Sequence, residues 1–481
     1  MNRNDFLTVL PELILLGGAS LILLIDVLLS DARRHVAYWL TQITLLVCAL
    51  ATMATAQVQP VWVFHGLVVN DLAGALLKFF NYITVALMLF FSRGYLEARG
   101  LFRGETFVLS LFALLGMMVM ISASSFISLY LGLELLSLSL YAMVAAYRSS
   151  NRASEAAMKY FVLGALASGM LLYGMSMLYG ATGSLDIMQV GRAIAEGRGN
   201  RTLLVFGLVF VISGIAFKLG AAPYHMWIPD VYDGAPTAVT LLVGSAPKLA
   251  AYAFMLRMLG VALGGMEADW QQMLGVLAVL SMILGNIIAI AQTNIKRMLA
   301  YSTIANMGYM LMGFLTGNLT GYSASMFFTV AYVLTTLASF GMVMLLSRQG
   351  FEADQLDDFK GLNQRSPWWA FMMLLVMFSL AGLPPTVGFY GKFAVIEAAV
   401  NAGFVWLAVV AVVTSLIGAF YYLRIVKLMY FDDPVDTMPI VARRDTRALL
   451  SANGMALLLF GLLPQKLMGL CVVALASSGF L

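Results

Sequence analysis

The chain has 481 residues, of which 61% are apolar and only 11% charged, with a net charge of +4 and a mean hydropathy of +0.90. This composition excludes a soluble globular enzyme and a nucleic-acid binder, and it describes an all-α polytopic membrane protein held in a lipid bilayer. Two cysteines in apolar runs (Cys48 and Cys471) and three histidines are too few for a cysteine-held iron–sulfur cluster or a histidine-rich metal or haem site.

A membrane helix needs roughly 20 apolar residues, and about fourteen stretches meet that length. The first, FLTVLPELILLGGASLILLIDVLL, lacks a basic leader and a small-residue cleavage site, so it is expected to be a span rather than a removed signal. The fifth, FISLYLGLELLSLSLYAMV, carries Glu134. Lys159 lies near the start of the sixth (EAAMKYFVLG), and Lys218 interrupts the seventh (LLVFGLVFVISGIAFKLGAA) five residues before Pro223. His225 follows in PYHMWIPD. Lys248 directly follows Pro247 in TLLVGSAPKLAAYAFML, and Lys392 comes eight residues after Pro384, beyond FMMLLVMFSLAGLPP. The chain has nine lysines, so nearly half of them fall where a charge costs at least ~2.5–3.5 kcal/mol.

Such residues face a bundle interior and carry function, or they balance other charges. For Lys218 a protonatable relay competes with a lysine snorkelling from a helix end; the adjacent proline frees carbonyls that can solvate an amine. Glu134 is too short to snorkel and needs a cation. Its expected partner is Lys218, because a carboxylate within ~4–6 Å strengthens an amine's hold on its proton and separation weakens it. Lys248 and Lys392 each sit near a proline defect. Lys159 is equally suited to snorkelling. His225 is a near-neutral titrator or a hydrogen-bonded structural histidine. Glu12, Asp26, Lys78 and Glu397 are read as span ends or contacts with partner chains, and the 32 methionines as core filler. Tyr301, Ser302 and Asn306 are polar helix residues able to hold water.

Arginines and lysines gather in alternate loops: Arg33 and Arg34; Arg93, Arg99 and Arg103; Arg148 and Arg152; Lys296 and Arg297; Arg348, Lys360 and Arg365; then Arg443, Arg444 and Arg447. The positive-inside rule places those loops in the cytoplasm and both termini on the opposite side of the membrane. Two Leu-x-x-x-Pro sequences, Leu219 to Pro223 and Leu380 to Pro384, lie 161 residues apart. The same offset carries 105–123 onto 266–284 and 157–181 onto 318–342. A repeat of five spans must be inverted in the membrane, and matched broken helices mark an ion pathway. The expected division is 1–104 (three helices), 105–260 (first repeat), 261–431 (second repeat) and 432–481 (a last helix).

Taken together, FKLGAAPYHMWIPDVYDGAPTAVTLLVGSAPKLA, QTNIKRMLAYSTIANMGYML and SLAGLPPTVGFYGKF resemble the antiporter-like membrane subunits of bacterial respiratory complex I, over about residues 70–430. The resemblance implies fourteen helices with two inverted five-helix repeats. It also implies one proton-translocating unit of an NADH:quinone oxidoreductase, with no redox centre in this chain. NADH, FMN, iron–sulfur clusters and quinone are then expected in partner subunits, and sister antiporter-like and small membrane subunits as neighbours. By that likeness Glu134 is the acidic partner on the fifth helix, Lys218 the lysine of the broken seventh, Lys248 that of the eighth and Lys392 that of the broken twelfth. The family often has histidine where this chain has Asn306, which cannot titrate. A sodium/proton antiporter subunit shares the broken helices and lysines and is the alternative; neighbouring genes would separate the two.

Overall fold

The structure is a computed structural model that describes residues 3–479, nearly all of them helical. The chain begins with α1 (Arg3–Thr8), α2 (Leu10–Leu28) and α3 (His35–Thr55). A two-stranded antiparallel hairpin, β1 (Val61–Val63) and β2 (Val68–Asn70), pairs Val61 with Asn70 and leads into α4 (Leu72–Ala98). Next come α5 (Gly104–Ile121), α6 (Phe126–Val144), α7 (Asn151–Thr182) and the short α8 (Ile187–Ala195). The first broken span is α9 (Arg201–Leu219) followed by α10 (Trp227–Gly234). Another span is built from α11 (Thr237–Gly244), α12 (Ala246–Met255) and a π-helical stretch, Leu256–Ala262.

The second half runs α13 (Glu267–Ile290), α14 (Ile295–Phe314), α15 (Leu319–Leu346) and the one-turn α16 (Leu362–Arg365). Its broken span is α17 (Pro367–Ala381) and α18 (Val387–Asn401), followed by α19 (Val405–Phe431). The chain closes on α20 (Arg444–Leu462) and α21 (Pro464–Ser477).

Among the described residues, eleven helical stretches are long and apolar enough to cross a membrane. With α14, the broken α17–α18 span and the α20–α21 pair they make the fourteen spans expected. The last span departs from a single helix: α20 and α21 are bent by 81°, because Pro464 cannot continue the ladder from α20. Stretches of 18 residues in the span 237–262 and in α15 are buried among the other helices. Helices α2 and α3 turn Leu24, Leu28 and Leu46 outward, where lipid tails or partner chains meet them.

The two repeats are visible in how their first helices cross. A Cβ on Gly116 would stand 2.4 Å from the Leu136 nitrogen and 2.6 Å from the Gly132 carbonyl oxygen. A Cβ on Gly285 would stand 2.6 Å from the Ala305 nitrogen and 2.8 Å from the Tyr301 carbonyl oxygen. So α5 crosses α6 at the same backbone-to-backbone distance as α13 crosses α14, the close approach that small residues permit in membranes. The equivalent residues are 169 positions apart.

At the broken helices the register is 162: Gly220 and Gly382 both end a helix in the left-handed conformation, at φ of +78° and +79°. The Ala222–Pro223 and Pro384–Pro385 peptides are both cis. Hence Pro223 matches Pro385, not Pro384, and the single offset of 161 is corrected. The first copy holds seven more residues between its crossing and its break.

The glycine crossing makes a simple prediction. Gly116→Leu should lower the yield of folded chain in membranes at least severalfold, because backbone atoms of α6 cannot give way. Gly169→Leu, where nothing lies within 4 Å of the added Cβ, should leave the yield unchanged. Comparable yields of the two variants on a native gel would refute the crossing as a packing constraint.

Candidate functional site

A helix that stops inside a membrane leaves its last carbonyls without partners, and no bulk water is there to take them. In both broken spans the left-handed glycine ends the first half, and a lysine amine meets the freed carbonyls. Lys248 Nζ donates to the carbonyls of Leu219 at 2.8 Å and Lys218 at 3.4 Å. Lys392 Nζ donates to the carbonyls of Leu380 at 2.9 Å and Ala381 at 3.1 Å, and to the Ser415 hydroxyl at 3.2 Å. The two carbonyl pairs correspond in the 162-residue register. Each amine also lies over an aromatic face, Trp227 at 5.8 Å and Tyr309 at 4.7 Å. A cation at a helix C-terminus complements the macrodipole as well as the carbonyls. The lysines come from different elements: Lys248 from α12, and Lys392 from the second half of its own broken span.

Lys218 sits at the last turn of α9, with its amine directed to α6. It donates to the Ser137 hydroxyl at 2.5 Å. The expected ion pair with Glu134 is not formed in this structure. Glu134 accepts a hydrogen bond from Ser168 of α7 instead, and Ser168 lies 3.1 Å from the Tyr130 hydroxyl. The two groups remain neighbours through α6, because Ser137 lies one turn beyond Glu134.

Two residues on the sequence's list fall outside this line. Lys159 is 44% exposed and stands 2.8 Å from both Glu155 and Asp230; Asp230 is shared with Arg297 at 3.0 Å. It belongs to a charged rim joining α7, α10 and α14, as its place near the start of a span permits. His225 lies in the break between α9 and α10 beside the Pro223 backbone, and among the described residues no hydrogen bond joins it to Lys218 or Lys248. Lys78 and Glu12 pair with each other at 2.5 Å, and Glu397 is exposed on α18.

Sequence reasoning placed Lys296 in a loop, but it is buried and donates to the Ala235 carbonyl, at the end of α10, at 2.7 Å. The signal was available: Asn294 caps α14, so Lys296 is a cation in a first helical turn, against the macrodipole. Beside it a polar cluster joins the two repeats. Glu352 accepts from the Tyr95 hydroxyl at 3.0 Å, from Thr237 at 2.5 Å and from Arg99, whose guanidinium covers the Tyr95 ring at 3.7 Å. A second missed pair, Arg257 with Asp71 at 2.7 Å, is almost fully buried where α12's π-helical extension meets the start of α4. Asn306 shares a cavity of about 10 Å³ with Tyr332, Thr335, Ser379 and Lys392, room for about one water. In the 169-residue register it is the counterpart of Ser137.

Duplicated broken helices around enclosed amines define the chain as an antiporter-like membrane subunit. Residues 123–418 match the family profile described as NADH:quinone oxidoreductase/Mrp antiporter, transmembrane. The NADH-quinone oxidoreductase subunit N of Thiobacillus denitrificans is 61% identical, and that of Herminiimonas arsenicoxydans 58%, each over 99% of both chains. A chain of respiratory complex I from Thermus thermophilus, solved with bound aureothin, superposes with a TM-score of 0.82 at 32% identity, over 98% of this chain and all of that one. A chain of the Mrp complex from Dietzia shares the fold, with a TM-score of 0.85 at 23% identity over 99% of this chain and 97% of that one. The chain belongs to the NADH-quinone oxidoreductase subunit N family.

Burial pushes the Glu352 carboxyl up, but Lys296, Arg99 and the bonds from Thr237 and Tyr95 outweigh it and hold it below its ordinary 4.5. Its contribution to stability is therefore full above that value and lost as pH falls through the depressed one. In detergent, Glu352→Gln should melt several degrees below wild type at about pH 7.5, with the gap narrowing only once the pH falls below about 4.5. A gap that does not change with pH would refute the assignment.

Proposed function

We propose that the chain is a proton-translocating membrane subunit of an NADH-quinone oxidoreductase. It moves protons along Glu134, Lys218, Lys248 and Lys392 while electrons pass from NADH to quinone in other subunits. The observation that supports this most is the repeated seating of an amine on the freed carbonyls of a broken helix. An amine there can hold a proton while the carbonyls face it, and it loses that support if the half-helix shifts. Lys218 carries its own carbonyl into the seat of Lys248, so displacing one amine disturbs the next. Lys296 extends the line of buried amines, and Asn306 serves it by holding water rather than by titrating. Lys159 and His225 stand at the margin of the path, where a proton would enter or cross a break.

FMN, the iron–sulfur clusters and the quinone belong to partner subunits in this reading. Sister antiporter-like subunits and small membrane subunits flank the chain in a bacterial inner membrane, with both termini periplasmic. Residues 105–260 and 261–431 form the two working repeats, between a three-helix leader (1–104) and the bent C-terminal pair (432–481).

Two substitutions test the reading in membrane vesicles carrying assembled complex. Lys218→Ala should reduce proton uptake and quinone-coupled NADH oxidation roughly tenfold, a loss of ~1.4 kcal/mol. Wild-type pumping by that variant would remove Lys218 from the path. Lys392→Arg should behave like Lys392→Ala, because arginine keeps the charge but cannot release its proton. Near-normal pumping by the arginine variant would leave Lys392 as a fixed charge.

A further inference from the structure

Helix α6 carries more of the path than Glu134 alone. On α6, Tyr130, Glu134, Ser137 and Tyr141 follow at spacings of four, three and four, so they share a single face of a helix whose other polar residues, Ser128 and Ser139, bond backbone carbonyls. Tyr130 and Glu134 lie on either side of Ser168, and Ser137 meets Lys218. We propose that Ser137 is a positioning residue that gives the Lys218 amine a second, uncharged seat one turn away from Glu134. This rests on Lys218 being a proton carrier, as proposed above.

Hydrogen-bond accounting supports the seat. Ser137 Oγ donates to the Leu133 carbonyl at 2.5 Å, so its single proton is committed to the backbone. It faces Lys218 with lone pairs only, and the amine donates to it at 2.5 Å. The hydroxyl thus anchors the amine without adding a charge beside it. Glu134 is occupied by Ser168 at the same moment. Three residues of helix separate the two seats by ~4.5 Å along the axis, a distance a lysine's four-carbon stem can swing without moving the backbone.

At Glu134 the opposite charge strengthens the amine's hold on its proton; at Ser137 it does not. The charged groups near the amine are Glu134 from α6 and Lys248 from α12, while Tyr141 hydrogen-bonds Ser137 on the same helix face, so Glu134 is the only carboxylate that competes for the amine among the described residues. In the second repeat Asn306, the register counterpart of Ser137, lines one cavity with Lys392, whose amine is seated on the carbonyls of Leu380 and Ala381.

The test compares Ser137→Ala, Ser137→Thr, Ser137→Cys and Ser137→Ala/Glu134→Gln in vesicles, with complex content measured on native gels. Threonine in a helix keeps its hydroxyl bonded to the preceding turn, so it should retain most of the pumping. Alanine should lose about threefold or more, because the amine stays with Glu134. Cysteine, a weak acceptor, should fall between them, and it replaces alanine in the comparison if the alanine variant does not assemble. The double variant should pump no worse than Glu134→Gln alone, since removing the carboxylate frees the amine that alanine trapped. Equal losses for alanine and threonine, normal pumping by both alanine and cysteine, or a double variant that multiplies the two losses would overturn the proposal. Lys218→Ala that pumps normally would instead sink the carrier reading beneath it. An inactive Lys218→Ala beside normal Ser137→Ala and Ser137→Cys would remove only the seat.

Discussion

Every arrangement in this protein's interior answers one constraint. A helix interrupted within hydrocarbon presents carbonyl oxygens that water cannot reach, and each unsatisfied group costs several kcal/mol. The chain breaks two spans and places a cation at each break. Neither charge nor carbonyl is tolerable alone there. The amine needs acceptors as much as the helix end needs donors, and each removes the other's penalty. The same rule accounts for Lys296, a third amine set against the end of α10. Where no half-helix ends, charges pair with charges, as Lys78 does with Glu12 and Arg257 with Asp71.

The glycine crossings and the enclosed helices serve that constraint. Backbone contact between α5 and α6, and again between α13 and α14, fixes polar side chains of α6 and α14 at one depth in each repeat. The buried stretches around Lys248 and along α15 exclude lipid from the breaks. The polar cluster of Tyr95, Arg99, Thr237, Lys296 and Glu352 ties the repeats together at one edge of the bundle. Rigid packing therefore surrounds a few groups whose partners can be exchanged.

Much of this was legible in the sequence. Apolar runs mark spans because a bilayer imposes their length, and Pro223 and Pro384 mark the breaks because proline cannot continue a helix. The buried lysines were conspicuous by their cost. What could not be read was which atoms they touch. Lys248 finds carbonyls 29 and 30 residues away through the packing of α12 on α9, and no local pattern encodes that. Lys296 reads as a loop cation because basic residues usually gather in loops, yet two residues after the Asn294 cap it lies in a first helical turn. Glu134 was matched to the nearest plausible cation, whereas Ser137 intervenes. The spacing of Tyr130, Glu134, Ser137 and Tyr141 was present in the letters, but hydroxyls on an apolar helix carry little weight beside a charge.

The separate origins of Lys248 and Lys392 bear on how the two halves diverged after duplication. Matched through their breaks, Lys218 falls opposite Leu380, and the seated amines arrive from different spans. What the two halves share is a point in space beside a helix end, filled by lysines from different elements. Comparison of the halves by letters alone would score these lysines as unrelated. Their shared position emerges only when one asks which carbonyls each amine serves.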